Sequence, residues 1–375
     1  MEKNIAIYQD QRIAEEFCNF KCEYCEGFYP TDYSLVKDKE GNLHVPPEWH
    51  DKVKHHPETV RECFCGRSRM EDFYQMADKI IEKTQDTMDT CVLKISGGEV
   101  TIYKGLCDFV DKLHDRYPMI QILSNGSNIS SEDMERYKKM KNVSFQISLD
   151  GVTPESNYGK SHSRVMTQRV VNTVDSLLEN GIGVEINCVL TKYNTAQFSE
   201  FLEHYKDKDH IMIVPRPVRG EPRSILDATP EQIQIFELYI RDHYEEYAHI
   251  IPPMCYFERL FEQLKTGKRK DKCYIPYFVQ SIDGYGTFEM CPIGLDYEES
   301  YNIFHPKFDK KKILLNSCYN VDNNHTNCEY CMNQYEMFNL YVEGLISLED
   351  LRRMPSLDHD QVLSEIEKIK KKIKK

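Results

Sequence analysis

Of the fourteen cysteines in this 375-residue chain, seven fall into two patterns that could do chemistry. Cys18, Cys22 and Cys25 form a C-x3-C-x2-C run, with Tyr24 just before the last thiol. A 4Fe–4S cluster is ordinarily held by four thiolates, so three close cysteines would leave one iron open to a small ligand. Zinc is the competing reading, because a C-x2-C pair alone also serves zinc. Further along, Cys273 and Cys291 are separated by seventeen residues, and Cys328-Glu329-Tyr330-Cys331 follows. Those four thiols are a full set for a closed cluster, or again for zinc. Cys255 precedes Cys273 by eighteen positions and could displace one of the four, and Cys318 is a further possible ligand. Cys63 and Cys65 could be a substrate-facing pair, a ligand of another cluster, or inert. Cys91, Cys107 and Cys188 sit in apolar contexts and read as core.

Chemistry at such thiols needs a frame. Apolar runs at 3–8, 91–95, 120–123, 143–148, 184–190 and 211–214 predict six strands. Helical periodicity falls between them. Met70, Phe73, Tyr74, Ala77, Ile80 and Ile81 share one face, as do Leu106, Phe109, Val110 and Leu113. Ser131 caps a short helix, Val170 to Leu178 marks another that stops at Asn180-Gly181, and 196–205 a further one. Repeated β-α units imply parallel strands with right-handed crossovers, as a partial barrel or an open doubly wound sheet. Either architecture binds ligands at the C-terminal strand ends. Gly97-Gly98-Glu99, Ser124-Asn125-Gly126, Ser148-Leu149-Asp150-Gly151 and Val214-Pro215 all lie at such ends.

After residue 220 the pattern changes. Thr229-Pro230-Glu231-Gln232 is a capping box that opens a helix, and a second helix is expected over 256–265. Residues 268–335 are cysteine-rich, with a hairpin signal at Asp283-Gly284. The lysine-rich tail carries Leu363, Ile366, Ile369 and Ile373 on one stripe, which suits a docking helix with a solvated face. The expected divisions are 1–220, 221–267, 268–335 and 336–375. The long connection 26–69, which holds the only tryptophan, Trp49, shows little periodicity, as a functional insertion or a disordered loop would.

The segment Cys18-Asn-Phe-Lys-Cys-Glu-Tyr-Cys25 resembles the signature of radical S-adenosylmethionine (SAM) enzymes, and the strand-end motifs agree with it in order and placement. The resemblance implies a partial (β/α)6 TIM-type barrel with a small cysteine-rich C-terminal domain and a terminal helix. It implies that Cys18, Cys22 and Cys25 hold a 4Fe–4S cluster. Gly97, Gly98 and Glu99 would hold the SAM amino group, and Ser124, Asn125, Ser148 and Asp150 would bind SAM, including its ribose. Tyr24 belongs to the same cofactor site. Arg164, with Lys160 as a rival, would meet the SAM carboxylate, while Asn187 and Val214 would contact SAM. The C-terminal cysteines Cys273, Cys291, Cys328 and Cys331 are similar to a Twitch domain, the shortened SPASM extension, and imply an auxiliary 4Fe–4S cluster that accepts an electron.

The same resemblance implies reductive cleavage of SAM to a 5′-deoxyadenosyl radical that abstracts hydrogen from a substrate. The leading substrate is a peptide or protein, modified by cross-linking, thioether formation, oxidation or epimerisation. An aminocyclitol or sugar alcohol dehydrogenase is the alternative. Cys255 could donate a hydrogen atom if it is not a cluster ligand. With the triplet starting at residue 18, a separate leader-binding protein is expected, together with an electron donor such as flavodoxin or ferredoxin. The net charge of −13 argues against general nucleic-acid binding, although Arg216, Arg219 and Arg223 form a small basic cluster. No run approaches a membrane span and no signal-peptide core is present, so a cytoplasmic location is expected.

Overall fold

A computed structural model describes residues 4–13, 18–25, 36–37, 43–44, 70–218, 225–284, 286–289, 302–306, 308 and 331–374. Trp49, Cys63, Cys65, Arg219, Arg223, Cys291, Cys318 and Cys328 lie outside the described residues.

Strand β1 (Asn4–Ile13) is followed by a two-stranded ribbon, β2 (Val36–Lys37) and β3 (Leu43–His44). Helix α1 (Met70–Gln85) leads into β4 (Met88–Gly97). Four further units alternate: α2 (Leu106–Leu113) with β5 (Met119–Ser124), α3 (Ser131–Tyr137) with β6 (Val143–Ser148), α4 (Arg164–Glu179) with β7 (Val184–Leu190), and α5 (Phe198–Tyr205) with β8 (Ile211–Pro217). The six expected strands are all present and pair in parallel, in the order β1-β4-β5-β6-β7-β8. Gly181 supplies the expected stop after α4. Its φ of +72° is the left-handed conformation that lets Ile182 N–H return to the Leu177 carbonyl at 3.0 Å.

A seventh parallel strand was not foreseen. Helices α6 (Pro230–Tyr247) and α7 (Met254–Thr266) carry the chain back to β9 (Val279–Ile282), which pairs with the free edge of β1. The Asp283-Gly284 signal does make a hairpin, with β10 (Phe288–Glu289) antiparallel to β9. The result is a curled, open half-barrel of seven parallel strands with β10 at one edge. Strands β6 and β7 are nearly continuous in Val, Ile and Phe on their helix side and polar on the other: Ser144, Gln146 and Glu185 are all buried, as is Gln121 of β5. Both faces of a parallel sheet are covered, so this polar face is a lumen and not a surface.

The C-terminal helices α8 (Glu336–Glu343), α9 (Leu348–Arg352) and α10 (Asp360–Ile373) finish the packing. Helix α10 buries Val362, Leu363, Ile366 and Ile369 and lies against β1 and β4. Between α9 and α10, Pro355–Leu357 closes on β5, β6 and β7. No helix among the described residues is long and apolar enough to cross a membrane.

Candidate active site

The loop 18–25 follows β1 and is tied to the ends of two other strands. Asn19 Nδ2 donates to Ser127 Oγ at 2.9 Å, and Asn125 Nδ2 donates to Asn19 Oδ1 at 2.8 Å. Five residues on, the Tyr24 hydroxyl donates to the Asp150 carboxylate. Cys22 and Cys25 close a turn, with the Cys25 N–H 3.2 Å from the Cys22 carbonyl. Cys18 and Cys22 are half-buried and Cys25 is exposed.

Burial pushes the Cys18 thiol up to about 12. The Phe20 N–H at 3.4 Å opposes the rise, while Glu99, Cys22 and Cys25 add to it. Cys22 is also raised, by burial first, with Lys160 working the other way and Asp150 and Cys25 adding to it. Burial sets Cys18 and Cys22 against ionisation, and positive charge arriving with a ligand, as iron would bring it, favours their thiolates. The donor set therefore fits an iron–sulfur cluster. Among the described residues, no group of three His, Cys, Asp or Glu stands ready for a single metal ion.

Gly97, Gly98 and Glu99 turn away from β4 at the same place. Gly97 has φ +156°, and a Cβ there would stand 2.0 Å from the carbonyl oxygen of Ile13, its partner in β1. Only glycine lets the two strand ends approach this closely. Glu99 is buried, and its carboxylate accepts four hydrogen bonds. These come from Thr101 N–H at 3.0 Å, Thr101 Oγ1 at 2.6 Å, Ser124 Oγ at 2.8 Å and Asn125 N–H at 2.5 Å. Burial still raises its pKa, and each of those bonds pulls it back. Glu99, Ser124 and Asn125 are thus one unit, and Asn125 passes its hold on to Asn19 in the cysteine loop.

Asp150 is a second hub. Its Oδ1 accepts Val189 N–H at 2.9 Å and its Oδ2 accepts Tyr24. Asn157 Oδ1 takes the Asp150 N–H at 3.0 Å, and Asn194 Nδ2 donates to its carbonyl at 2.8 Å. Burial raises the Asp150 pKa, with Lys160, Tyr24, Val189 and Arg216 opposing. Lys160 is buried, and its Nζ lies 5.6 Å from the centre of the Tyr24 ring. Arg164, by contrast, is exposed as the first residue of α4. Of the two cations expected near SAM, the structure therefore places Lys160 and not Arg164 against the cysteine loop. Ser148 ends β6 half-buried beside Asn187 of β7, and Asn187 pairs in register with Val214 of β8. Asn187 and Val214 are both buried. Arg216, the one member of the small basic cluster among the described residues, acts on Asp150 and Tyr24 from the end of β8.

Away from this centre, Cys273 and Cys331 come together around Arg269. The guanidinium donates to the carbonyls of Asp271 at 2.8 Å, Lys272 at 3.1 Å and Cys331 at 3.4 Å, and to Glu336 at 2.9 Å. Glu336 also binds Arg259 at 2.5 Å and Asn339 at 2.8 Å, and Asn339 accepts Tyr274 N–H at 2.6 Å. Cys255 is half-buried on α7. Its thiol points at the Leu345 carbonyl, 3.9 Å away, with Arg259 and Asp350 as its charged neighbours.

Several residues that hold the site were not singled out from sequence: Asn19, Asn157, Asn194, Tyr193 and His162. Asn19 alone carried a signal, as a polar side chain inside the cysteine run. The others act through contacts between segments far apart in sequence.

The model of the radical SAM superfamily matches residues 15–205, just over half of the chain. Among curated proteins, the mycofactocin maturase MftC of Mycobacterium tuberculosis is 31% identical over 117 residues, 31% of this chain and 30% of that protein. The sporulation killing factor maturation protein SkfB of Bacillus subtilis is 26% identical over 221 residues, 56% of this chain and 51% of that protein. The chain thus spans about a third to a half of the length of these relatives. Streptococcus suis SuiB bound to S-adenosylmethionine shares the fold, with TM-score 0.54 and 15% identity, covering 80% of this chain and 62% of SuiB. Native anSMEcpe with bound AdoMet does so with TM-score 0.55 and 16% identity, over 98% and 95%. With a cysteine loop clamped to the strand ends of a half-barrel, the chain belongs to the radical SAM superfamily, enzymes built on a 4Fe–4S cluster and SAM.

Proposed function

We propose that the protein modifies a peptide by radical SAM chemistry. The observation that carries the reading is the double anchoring of the cysteine loop, by Asn19 on the turn after β5 and by Tyr24 on Asp150 after β6. Such anchoring fixes a cluster relative to the strand ends, where a ligand of the cluster would lie. In this reading Cys18, Cys22 and Cys25 hold the 4Fe–4S cluster, and Gly97, Gly98, Glu99, Ser124, Asn125, Ser148, Asp150, Asn187 and Val214 line the SAM site. Lys160 takes the carboxylate role in place of Arg164. The chemistry available there is one-electron cleavage of the SAM sulfonium, followed by hydrogen abstraction from an unactivated carbon.

The chain's own residues orient and desolvate. Glu99 Oε2 accepts one hydrogen bond within the chain, which leaves a lone pair for an ammonium group, and an ammonium would favour the ionised carboxylate that burial disfavours. Tyr24 and Lys160 cover the loop side of the site. The C-terminal thiols Cys273, Cys291, Cys328 and Cys331 would hold an auxiliary 4Fe–4S cluster as electron acceptor, in a Twitch-like unit over 268–335 that follows bridging helices at 221–267. A peptide substrate is supported by relatives that mature mycofactocin and the sporulation killing factor. It is supported too by SuiB, solved with its precursor peptide SuiA. A separate leader-binding partner completes the picture.

The test is iron and sulfide content, with electron paramagnetic resonance (EPR), after anaerobic reconstitution. Wild type should hold about eight irons per chain and a Cys18/Cys22/Cys25 triple alanine variant about four, with a residual signal that ignores SAM. About four irons falling to none would remove the auxiliary cluster and keep the SAM cluster. Product formation on co-expressed precursor peptides, against none on polyols, tests the substrate class.

A further inference from the structure

The N-terminal ends of the strands, opposite the cysteine loop, carry a cavity that the proposed chemistry does not use. Its volume is about 700 Å³, and it opens to solvent between the starts of β5 and β6, the residue before β8 and the turn before α10. Met119 and Val143, the first residues of β5 and β6, form an apolar wall with Pro355. Ser144 lines the cavity from its buried side. That serine is 2% exposed, and its hydroxyl has no hydrogen-bond partner among the described residues. A buried hydroxyl left unpaired is costly, so a molecule that enters the cavity and bonds it is favoured.

The charge of the lining departs from that of the chain. The whole protein carries −13, but Lys139 and Lys141 line this cavity without an ion pair among the described residues, together with His210 and His359. The two acids of the lining are already engaged. Asp115 lies 3.3 Å from His114 Nε2, and Asp358 lies 3.2 Å from Arg352. His359 Nδ1 accepts the Gln361 N–H at 3.2 Å, which leaves its Nε2–H to donate elsewhere. His210 holds a left-handed backbone, φ +57°, the one non-glycine residue to do so among the described ones. Strain of that kind collects where ligands bind.

Helices α3 and α4 also end at this floor, and their last carbonyls carry partial negative charge. Lys138 answers that charge: it is the C-cap of α3 and donates to Asn180, the C-cap of α4, at 3.1 Å. Lys139 and Lys141 are surplus to it. No arginine stands among the described residues that line the cavity, so the planar fork that suits a carboxylate is missing. Lysine and imidazole donors from separate segments suit the several oxygens of a phosphate. The volume is far more than a bare ion needs and lies in the range of sites for organic molecules.

We infer that this floor cavity binds a small phosphorylated organic molecule. Lys139, Lys141, His210 and His359 surround its phosphate, and Ser144 bonds a polar group of the part seated on Met119, Val143 and Pro355. The turn Pro355–Leu357 also carries Ser356, whose N–H holds Glu185 in the lumen at 3.0 Å. A ligand that spans the α3–β6 connection, the entry to β8 and this turn therefore clamps the C-terminal segment onto the half-barrel and stabilises it. The inference is independent of the substrate class and of either cluster.

The experiment is calorimetric titration of the full-length reconstituted protein, kept saturated with SAM, with glucose 6-phosphate, AMP, inorganic phosphate and citrate in separate arms. At least one of the two phosphate esters should bind with a Kd below about 1 mM and more tightly than inorganic phosphate. That ester should raise Tm by roughly 5 °C at a hundredfold excess over Kd. A Lys139→Glu/Lys141→Glu double variant should weaken it roughly tenfold or more, and Ser144→Ala roughly threefold. Lys138→Glu, outside the lining, should stay within about twofold of wild type. Without ligand the double variant should melt within about 2 °C of wild type, because both lysines are exposed. Binding of neither ester, or equal binding to the double variant, would overturn the inference. Citrate bound as tightly as the better ester would overturn the phosphate class, and inorganic phosphate bound as tightly would overturn the organic part.

Discussion

Replacing Gly97 by alanine should damage the site more than its size suggests. The new Cβ would stand 2.0 Å from the Ile13 carbonyl oxygen, 3.0 Å from its carbon and 3.3 Å from its nitrogen. All three are backbone atoms of the neighbouring strand, so no rotamer change can relieve the contact. A carbon and an oxygen need well over 3 Å, so β1 and β4 must part by roughly 1 Å at this pair. Overpacking of this kind costs about 1–3 kcal/mol, and alanine at φ +156° adds a further ~1–3 kcal/mol of backbone strain. The sum, roughly 2–6 kcal/mol, is a large part of the ~5–15 kcal/mol that holds a typical domain together. Ile13 also leads into the cysteine loop and Gly97 into Glu99, so the same displacement separates the two halves of the proposed site. Urea unfolding of the apoprotein would read the stability, and the SAM-induced change in the EPR signal of the reduced cluster would read the site. Gly181→Ala is the control: its φ is +72° but nothing lies within 4 Å, so it should cost only ~1 kcal/mol of strain and leave the EPR response intact. If Gly97→Ala unfolds within about 1 kcal/mol of wild type and answers SAM normally, the close approach of the two strand ends is not what the site depends on.

Three other outcomes follow from the geometry. Glu99→Gln turns one accepting oxygen into a donor facing the Asn125 N–H or the Ser124 and Thr101 donors. It should cost about 1–3 kcal/mol in urea and raise the KM for SAM, and an unchanged unfolding midpoint would contradict the four-bond assignment. Glu99, Asp150 and Glu185 all have pKa values raised by burial, so their folded forms bind protons that the unfolded chain releases. Their contribution is therefore complete below the unfolded carboxylate pKa and is lost as pH rises through the raised folded values. Apoprotein stability should fall over that interval, and Glu185→Gln should flatten the fall; a midpoint that climbs with pH there would reverse the sign. Arg269→Gln should cut iron bound by the Cys18/Cys22/Cys25 triple alanine background, because it frees the segments before Cys273 and at Cys331 from each other. Full iron retention would leave Arg269 only a buried structural tie with no bearing on iron binding.

The parallel half-barrel was legible because each β-α unit carries its own periodicity and its own stop, as Asn180-Gly181 does after α4. The strand-end motifs were legible for a related reason: Gly97, Ser124 and Asp150 each follow an apolar run directly. What sequence did not reveal depends on partners distant in the chain. Strand β9 is four residues long and was readable only as half of a hairpin; its place beside β1 follows from the free edge that β1 presents. Asn157 and Asn194 are ordinary loop asparagines until Asp150 is folded between them. Lys160 and Arg164 differ in burial across four residues of spacing at the start of α4. The capped N-terminus at Ser163 leaves Arg164 outside and turns Lys160 in.

The family match ends at residue 205, yet the lumen of the half-barrel is completed by residues well beyond it. Lys94, buried in β4, donates to Gln146 at 2.7 Å and to the Tyr335 hydroxyl at 3.1 Å. Glu185 in β7 accepts the Ser356 N–H at 3.0 Å and the Ser356 hydroxyl, and Ser356 in turn meets the Tyr8 hydroxyl at 2.5 Å. A buried lysine and a buried glutamate are each costly without hydrogen-bonding partners. Here the partners come from both ends of the sequence at once: Tyr8 from β1, Tyr335 from the segment after Cys331, and Ser356 from the turn before α10. The same Tyr335 stands two residues beyond Asn333, whose Nδ2 is 3.6 Å from the Cys331 sulfur. Any movement of the Cys331 segment is therefore passed to Lys94 inside the barrel through a single hydroxyl. This is a physical reason for the half-barrel and the C-terminal segment to fold as one body, because the barrel's interior charges are not satisfied until that segment is in place.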